Sequence, residues 1–242
     1  MTDGARPRIG ELARRYSLPR AAEHALVTLL ELVMTDPAAA TAVRSEDGVI
    51  DAHLADSLTA LVLEEARDAA TIADLGSGAG FPGLPLAIAR PEAAVGLIEG
   101  NARKCCFLER ATTVCGLRNV RVVNSRAESW SAGIDRCDLV TARALAPLAV
   151  VVEYAAPLLK IGGSLLAWRG GRDRDSEQAA ARAADVLGLE PRKPMPVQPY
   201  PASSRRHLHL MLKVRPTPER FPRRPGLATK RPLGSGRRPR SV

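Results

Sequence analysis

Ala73-Asp74-Leu75-Gly76-Ser77-Gly78-Ala79-Gly80-Phe81-Pro82-Gly83 is the stretch that decides the fold. It follows the short β-like run Ala70-Thr71-Ile72 and leads into Leu84-Pro85-Leu86-Ala87-Ile88-Ala89, which reads as a helix. Strand, carboxylate, glycine-rich turn and helix start, in that order, make a nucleotide-type binding corner. Glycines let the backbone take positive φ and let a ligand approach closely. The helix start offers N–H groups that have no intrahelical partner. Pro82 and Pro85 fit a first helical turn better than a helix interior. A corner of this build binds a nucleoside-bearing cofactor.

Two frames compete for that cofactor. Gly78-x-Gly80-x-x-Gly83 matches the dinucleotide fingerprint, and Glu99 lies near the offset of about 20 residues expected of a ribose-binding acid. Asp74, Gly76, Gly78 and Gly80 instead resemble motif I of class I S-adenosylmethionine-dependent methyltransferases. A carboxylate at the mouth of the turn repels a pyrophosphate and suits an ammonium and a sulfonium, so Asp74 favours the second frame. In such enzymes the acid and the glycine turn hold the methionine part, and an acid one strand later holds the ribose hydroxyls.

Outward from the turn, residues 70–214 alternate strand and helix, the pattern of an α/β sheet. Strands are expected at Thr71–Leu75, Ala94–Ile98, Val120–Val123, Leu139–Ala142, Ser164–Trp168 and Leu208–Val214. Helices are expected at Gly83–Ala89, Asn101–Cys115, Leu145–Leu159 and Asp175–Leu187. Gly162-Gly163 reads as the turn before the fifth strand. The Pro-rich stretch Pro191 to Pro201 replaces a crossover helix and points to an antiparallel return. The expected fold class is therefore α/β: Rossmann-like, with a mostly parallel sheet and an antiparallel last strand.

Residues 1–69 read as an N-terminal helical extension. One helix spans Ala21 to Met34, with Leu26, Leu29, Leu30 and Val33 on one face, and Thr35-Asp36-Pro37 stops it. A second spans Val49 to Arg67, with Leu54, Leu58, Leu61 and Val62 along a stripe. Residues 70–215 form the expected catalytic core, and 216–242 a basic Pro/Gly-rich tail.

The chain of 242 residues carries a net charge of +9, and the tail holds most of it: Arg220, Arg223, Arg224, Lys230, Arg231, Arg237, Arg238 and Arg240 against Glu219. Six prolines and few apolar residues predict disorder in the free tail. A segment of this kind suits phosphate-backbone contact. It carries no strand-end residue, so its loss is expected to leave cofactor binding unchanged. No apolar run is long enough to span a membrane. Cys105, Cys106, Cys115 and Cys137 lack metal spacing and read as reduced thiols of a cytoplasmic protein. Only 3% of residues are aromatic, so stacking platforms for RNA bases are scarce.

Several motifs in order resemble the glucose-inhibited division protein B family, also called RsmG. The most specific is Asp74-Leu-Gly-Ser-Gly-Ala-Gly-Phe-Pro-Gly-Leu-Pro-Leu-Ala. Ala52-His53-Leu54-Ala55-Asp56-Ser57 resembles its Arg-His-x-x-Asp-Ser element, with Ala52 in place of the Arg. Arg103-Lys104 with Phe107-Leu108, Ser125-Arg126-Ala127-Glu128, Thr141-Ala142-Arg143-Ala144, Arg206-His207-Leu208 and the basic stretch Pro222 to Leu233 complete the likeness. The resemblance implies an enzyme that uses S-adenosylmethionine to methylate N7 of a 16S rRNA guanine, guanine 527 in the usual rRNA numbering. Its partner would be 16S rRNA or a small-subunit particle, and the expected working unit is a monomer without metal. The alternatives are a small-molecule methyltransferase on the same fold and an RNA-binding protein with an inactive cofactor site.

Guanine N7 is an unprotonated acceptor, so the reaction needs alignment at about 3–3.5 Å rather than a general base. Accordingly the chain shows no catalytic-cysteine motif and no Asn/Asp-Pro-Pro-aromatic motif. Asp74, Gly76, Gly78 and Phe81 are expected along the methionine and adenosine path, Glu99 on the ribose, and Ala127 and Glu128 around adenine. Arg143, at a strand end, is the candidate catalytic residue, expected to meet the cofactor carboxylate, guanine O6 or a phosphate. Arg103, Lys104, Arg126, Arg169 and Arg206 are candidate RNA contacts. His53 and Asp56, one turn apart, are expected to tie the N-terminal helix to the core, and His207 and His209 to pack without metal.

Overall fold

The N-terminal region lays down helices before any strand. A computed structural model describes residues 4–234. α1 (Ala5–Arg15) and α2 (Ala22–Thr35) bury one face each, with Leu26, Leu29, Leu30 and Val33 of α2 inside as their spacing predicts. The expected long helix over Val49–Arg67 is instead broken into short pieces. α3 (Glu46–Val49) runs into a π-helical turn at Ile50–Ala55, then α4 (Asp56–Leu58), a 3-10 turn at Thr59–Val62, and α5 (Glu64–Asp68). Side-chain hydroxyls turn back onto the backbone here. Ser57 Oγ donates to His53 O at 2.5 Å and Thr59 Oγ1 to Asp56 O at 2.6 Å. Such back-bonding competes with a regular ladder, and π turns recur where side chains must converge on a site. Val62, expected on the buried stripe, is 46% exposed.

The sheet follows the expected class. β1 (Thr71–Leu75) sits centrally between β2 (Ala94–Glu99) and β4 (Cys137–Arg143), all parallel. β3 (Val120–Asn124) extends it beyond β2, and β5 (Leu159–Arg169) beyond β4. The connections run through α6 (Gly83–Ala89), α7 (Ala102–Val114) and α8 (Leu148–Ala155). α9 (Arg174–Leu187) follows β5, and Gly188 closes it in the left-handed conformation at φ 81. β6 (Leu189–Pro191) and β7 (Met195–Val197) both pair antiparallel with β8 (Arg206–Lys213), which itself runs antiparallel to β5.

Several boundaries differ from expectation. α8 begins at Leu148 rather than Leu145, because Pro147 is extended at ψ 145. β5 starts at Leu159, and Gly162-Gly163 lies within it rather than before it. The register against β4 shifts between Cys137 and Leu139, the bulge that a strand glycine permits. The Pro-rich return forms two short outer strands, with Pro196 opposite His207.

The largest correction concerns the tail. Through Gly234 it is packed on the core, not free. Phe221 and Ala228 are buried in the cluster that holds α8 and α9. α10 (Leu227–Lys230) lies beside α8. Arg223 reaches the Glu153 carboxylate on α8, and Arg182 on α9 holds Gly234 O at 2.6 Å. A buried aromatic and a buried ion pair offset the entropy of ordering that the composition alone suggests would win. Arg237, Arg238 and Arg240 lie outside the described residues.

Candidate functional site

The carboxyl ends of the parallel strands converge on the glycine turn. Gly80 takes φ 91, and a Cβ there would sit 2.2 Å from Leu84 Cδ1, so only glycine fits. At Gly83 a Cβ would meet Leu97 Cδ2 at 2.3 Å and Asp74 Oδ2 at 2.8 Å, so α6 can start tight against the sheet.

Asp74 does not face the ligand side. It is fully buried: Oδ1 accepts from Thr141 Oγ1 at 2.8 Å, and Oδ2 from Gly83 N at 3.2 Å. Burial pushes its pKa up to about 6, against the opposing pull of those hydrogen bonds and of Arg143. Its work in this structure is to lock β1, β4 and the start of α6 together. The sequence reading of a carboxylate at the mouth of the turn is corrected accordingly. Phe81 is also set back, 5% exposed and stacked on His53 at 4.5 Å.

Glu99, expected as the ribose acid, is the last residue of β2. Its Oε2 accepts from Gly78 N at 3.0 Å and its Oε1 from Asn101 N at 2.8 Å. Each oxygen keeps a second lone pair. Glu99 lies in a cleft of about 610 Å³ with Gly76, Ala127 and Glu128, and with Lys104 and Arg126 among its walls. Tyr154 and Thr229 also line it. Glu128 carries an additional contact: its Oε1 accepts from Gly226 N at 2.9 Å. The tail therefore closes the cleft in which it was expected to have no part.

Arg143 is held rather than free. Its Nη1 donates to Ala52 O at 2.7 Å and to Asp56 Oδ2 at 3.0 Å, and its Nη2 reaches His53 Nδ1 at 3.1 Å. His53 Nδ1 also lies 3.0 Å from Ala52 O, and its Nε2 lies 2.7 Å from Thr41 Oγ1. Burial first, then the Arg143 charge, lowers the His53 pKa to about 4, so the ring is neutral. His53 and Asp56 meet Arg143 rather than each other, and through it they join the N-terminal region to the sheet.

Arg143, Arg169 and Arg206 line a second, smaller cleft of about 210 Å³. Ala144, at φ 53, lines both clefts. Arg103 is exposed and lines neither. The candidate basic residues thus divide between two neighbouring clefts. His207 holds Gly170 O at 2.9 Å through Nδ1. No cluster of His, Cys, Asp or Glu suited to a metal occurs among the described residues, and none of their helices is long and apolar enough to cross a membrane.

The rRNA small subunit methyltransferase G family model matches residues 25–201, well over half the chain. The chain belongs to this family. Curated members are close. The Ribosomal RNA small subunit methyltransferase G of Chloroflexus aggregans is 43% identical over 196 residues, covering 80% of this chain and 82% of that protein. That of Rubrobacter xylanophilus is 41% identical over 199 residues, covering 80% and 76%. Among solved structures, a SAM-dependent methyltransferase from Aquifex aeolicus aligns with TM-score 0.52 at 18% identity, over 68% of this chain and 93% of that one. Precorrin-6y C5,15-methyltransferase from Geobacter metallireducens aligns with TM-score 0.51 at 16% identity, over 65% and 88%. At such identities these two speak for the fold alone: the methyltransferase type of Rossmann-like sheet.

Family motifs do not mark every residue of the site. Tyr154 sits in an apolar helix and gives no sequence signal. Thr229 lies within the basic stretch, where only its charged neighbours draw notice. Thr141 was legible as part of a motif but not as the partner of Asp74.

Proposed function

We propose that this chain methylates N7 of a guanine in 16S rRNA, guanine 527 in the usual numbering, using S-adenosylmethionine, and that it does so in the cytoplasm as a monomer. S-adenosylmethionine, when bound, supplies a methyl group on an electrophilic sulfonium. The larger cleft suits it: Glu99 offers free lone pairs for ribose hydroxyls, Gly76 leaves backbone exposed, and Ala127 offers a small apolar contact for a purine. Arg126 and Lys104 at this cleft suit the approach of an RNA backbone.

Arg143 is placed to hold the target nucleotide beside the cofactor cleft. Its charge is balanced by Asp56, so a guanine that gains positive charge on methylation meets a neutral pair rather than a bare cation. Arg169 and Arg206 flank the same cleft, and exposed Arg103 adds to the positive field. The reading rests most heavily on Glu99. It is a strand-end carboxylate bonded to the glycine turn and opening on a cleft of cofactor size, in a chain of this family.

The test is transfer of labelled methyl from S-adenosylmethionine to small-subunit particles that lack the mark. Appearance of 7-methylguanosine in the rRNA digest is expected. Absence of incorporation into naked rRNA and particles alike would overturn the proposal.

A further inference from the structure

Among the described residues, three buried side-chain atoms have no hydrogen-bond partner: Tyr16 Oη, Asp56 Oδ1 and Ser164 Oγ. A buried carboxylate oxygen is the costliest of these to leave unmet. Asp56 is 2% exposed, and its other oxygen is committed to Arg143. Its backbone oxygen is fixed as well, by Trp168 Nε1 at 2.8 Å. The residue is thus held at its backbone and at one carboxylate oxygen, with one acceptor unused. It lines the smaller cleft, whose other walls include Arg143, Arg206, Gly170 and Gly171.

The cleft has the character of a base pocket. At about 210 Å³ it is a third the size of the cofactor cleft and too small for a nucleoside-bearing cofactor. Two glycines at its edge leave backbone accessible to a flat ring. It adjoins the cofactor cleft at Ala144, a strained positive-φ residue of the kind found where strand ends serve a site. A methyl group crossing from one ligand to the other would pass this point.

Guanine and adenine both carry N7, so selecting guanine requires reading another edge. Guanine presents two adjacent donors, N1–H and N2–H, on its Watson–Crick edge; adenine presents an acceptor at N1 and no amino group at C2. An unpaired carboxylate oxygen accepts from the first and repels the second. We propose that the smaller cleft receives the target guanine flipped out of its stack, and that Asp56 accepts from its N1–H and N2–H, setting specificity for guanine. Enzymes that modify a base take it out of the stack in this way and read it inside a pocket. Arg143, donating to Oδ2 at 3.0 Å, orients the carboxylate. The inference rests on the methyltransferase reading above. Tyr16 offers the competing account. Its hydroxyl is also buried and unpartnered, and the Asp56 charge adds to the rise that burial gives its pKa against Arg15, so a water held between the two would leave Asp56 no role on the base.

The experiment compares particles reconstituted with guanosine or with inosine at the target position. Inosine keeps N7 and N1–H and lacks only the amino group. With the wild-type chain, single-turnover methylation of inosine should be slower by about 10- to 100-fold, the scale of a hydrogen bond to a charged group. Asp56→Asn reverses the chemistry at one atom. Arg143 still requires an acceptor, so the amide oxygen turns to it and the NH2 faces the base donors. The variant should lose most of its activity on guanosine, retain S-adenosylmethionine affinity, and treat inosine as well as guanosine or better. Equal wild-type rates on the two particles would overturn the proposal, as would an undiminished guanosine preference in D56N. Should D56N fail to bind cofactor as a folded protein does, the wild-type ratio decides alone. A wild-type chain that methylates neither particle would instead sink the broader reading.

Discussion

The carboxylate of Glu128 accepts the backbone N–H of Gly226 at 2.9 Å, joining the 3-10 turn at Ala127–Ser129, after β3, to a segment 98 residues further along the chain. Its side chain is only 6% exposed. Thr229, three residues beyond Gly226, lines the same cleft as Glu99. Truncation after Arg215 should therefore weaken S-adenosylmethionine binding by about tenfold or more, close to 1.4 kcal/mol. Glu128→Ala should reproduce part of that loss, because it releases Gly226. Calorimetric titration of the full and truncated chains is the check. Equal affinities would show that the tail walls the cleft without touching the cofactor.

Tail docking depends on a second link. Arg223 pairs with Glu153 through two contacts, and the Glu153 side chain is 3% exposed. Breaking a buried pair by removing one partner costs about 3–5 kcal/mol when the other charge stays buried. Here the tail can lift and let water reach Glu153, so the cost falls on docking rather than on the whole fold. Arg223→Ala should speed tryptic cleavage between residues 216 and 234 well before it lowers the melting temperature. A variant cleaved no faster than wild type would mean that Phe221 and Ala228 hold the tail by themselves.

Glu99→Ala should weaken cofactor binding by about 1.5–3 kcal/mol. It also frees Gly78 N and Asn101 N, which water can satisfy in an open cleft. Thermal stability should therefore shift little. Unchanged cofactor affinity in a titration would remove Glu99 from the ribose position.

Buried Asp74 and half-buried His53 give the chain opposing pH dependences. Asp74 titrates at about 6 in the fold against an ordinary 3.8, so its contribution is fully present below pH 3.8 and is lost as pH rises through 6. The penalty above that range is on the order of 3 kcal/mol. His53 titrates at about 4 against 6.5, so its contribution is present above pH 6.5 and is lost as pH falls through 4. The two slopes largely cancel in the wild type. Asp74→Asn removes only the first, so the variant's stability relative to wild type should improve by roughly 2–3 kcal/mol between pH 4 and pH 7. Urea unfolding at several pH values measures it. Parallel profiles would mean that Asp74 is ionised in the fold as readily as in water.

The core of the fold was legible because its signals are local. The run from Thr71 to Gly83 carries its own strand, turn and helix start, and Glu99 closes the next strand. What escaped the sequence depends on distant partners. Asp74 reads as a ligand-facing acid until Thr141, 67 residues away, is seen to take one of its oxygens. The break in the helix over Val49–Arg67 comes from Ser57 and Thr59 turning onto their own backbone, in a stretch whose apolar spacing is otherwise helical. The tail looks unfolded by composition, yet Glu153, Glu128 and Arg182 on other elements give its arginine and its backbone places to bind. Polar residues that act at a distance leave no periodic trace.

The tail's charge can be separated from its docking. Arg220, Arg224, Lys230 and Arg231 are exposed, and none lines the cofactor cleft. Arg223 is spent on Glu153, so it is not among the free cations. Replacing the four exposed residues by Gln should leave cofactor affinity unchanged, because Phe221, Arg223 and Gly226 still hold the segment. RNA binding should weaken and its salt dependence flatten, since each phosphate contact contributes a slope of about 0.7–0.9 in log affinity against log salt. If three of the four meet phosphates, the slope should fall by roughly two units. The measurement is affinity for unmodified small-subunit particles at several salt concentrations, wild type against variant. Two parallel lines would assign the tail to the cofactor cleft alone. A flattened line with intact cofactor binding would give one segment two separable roles, as wall for the small ligand and as contact for the large one.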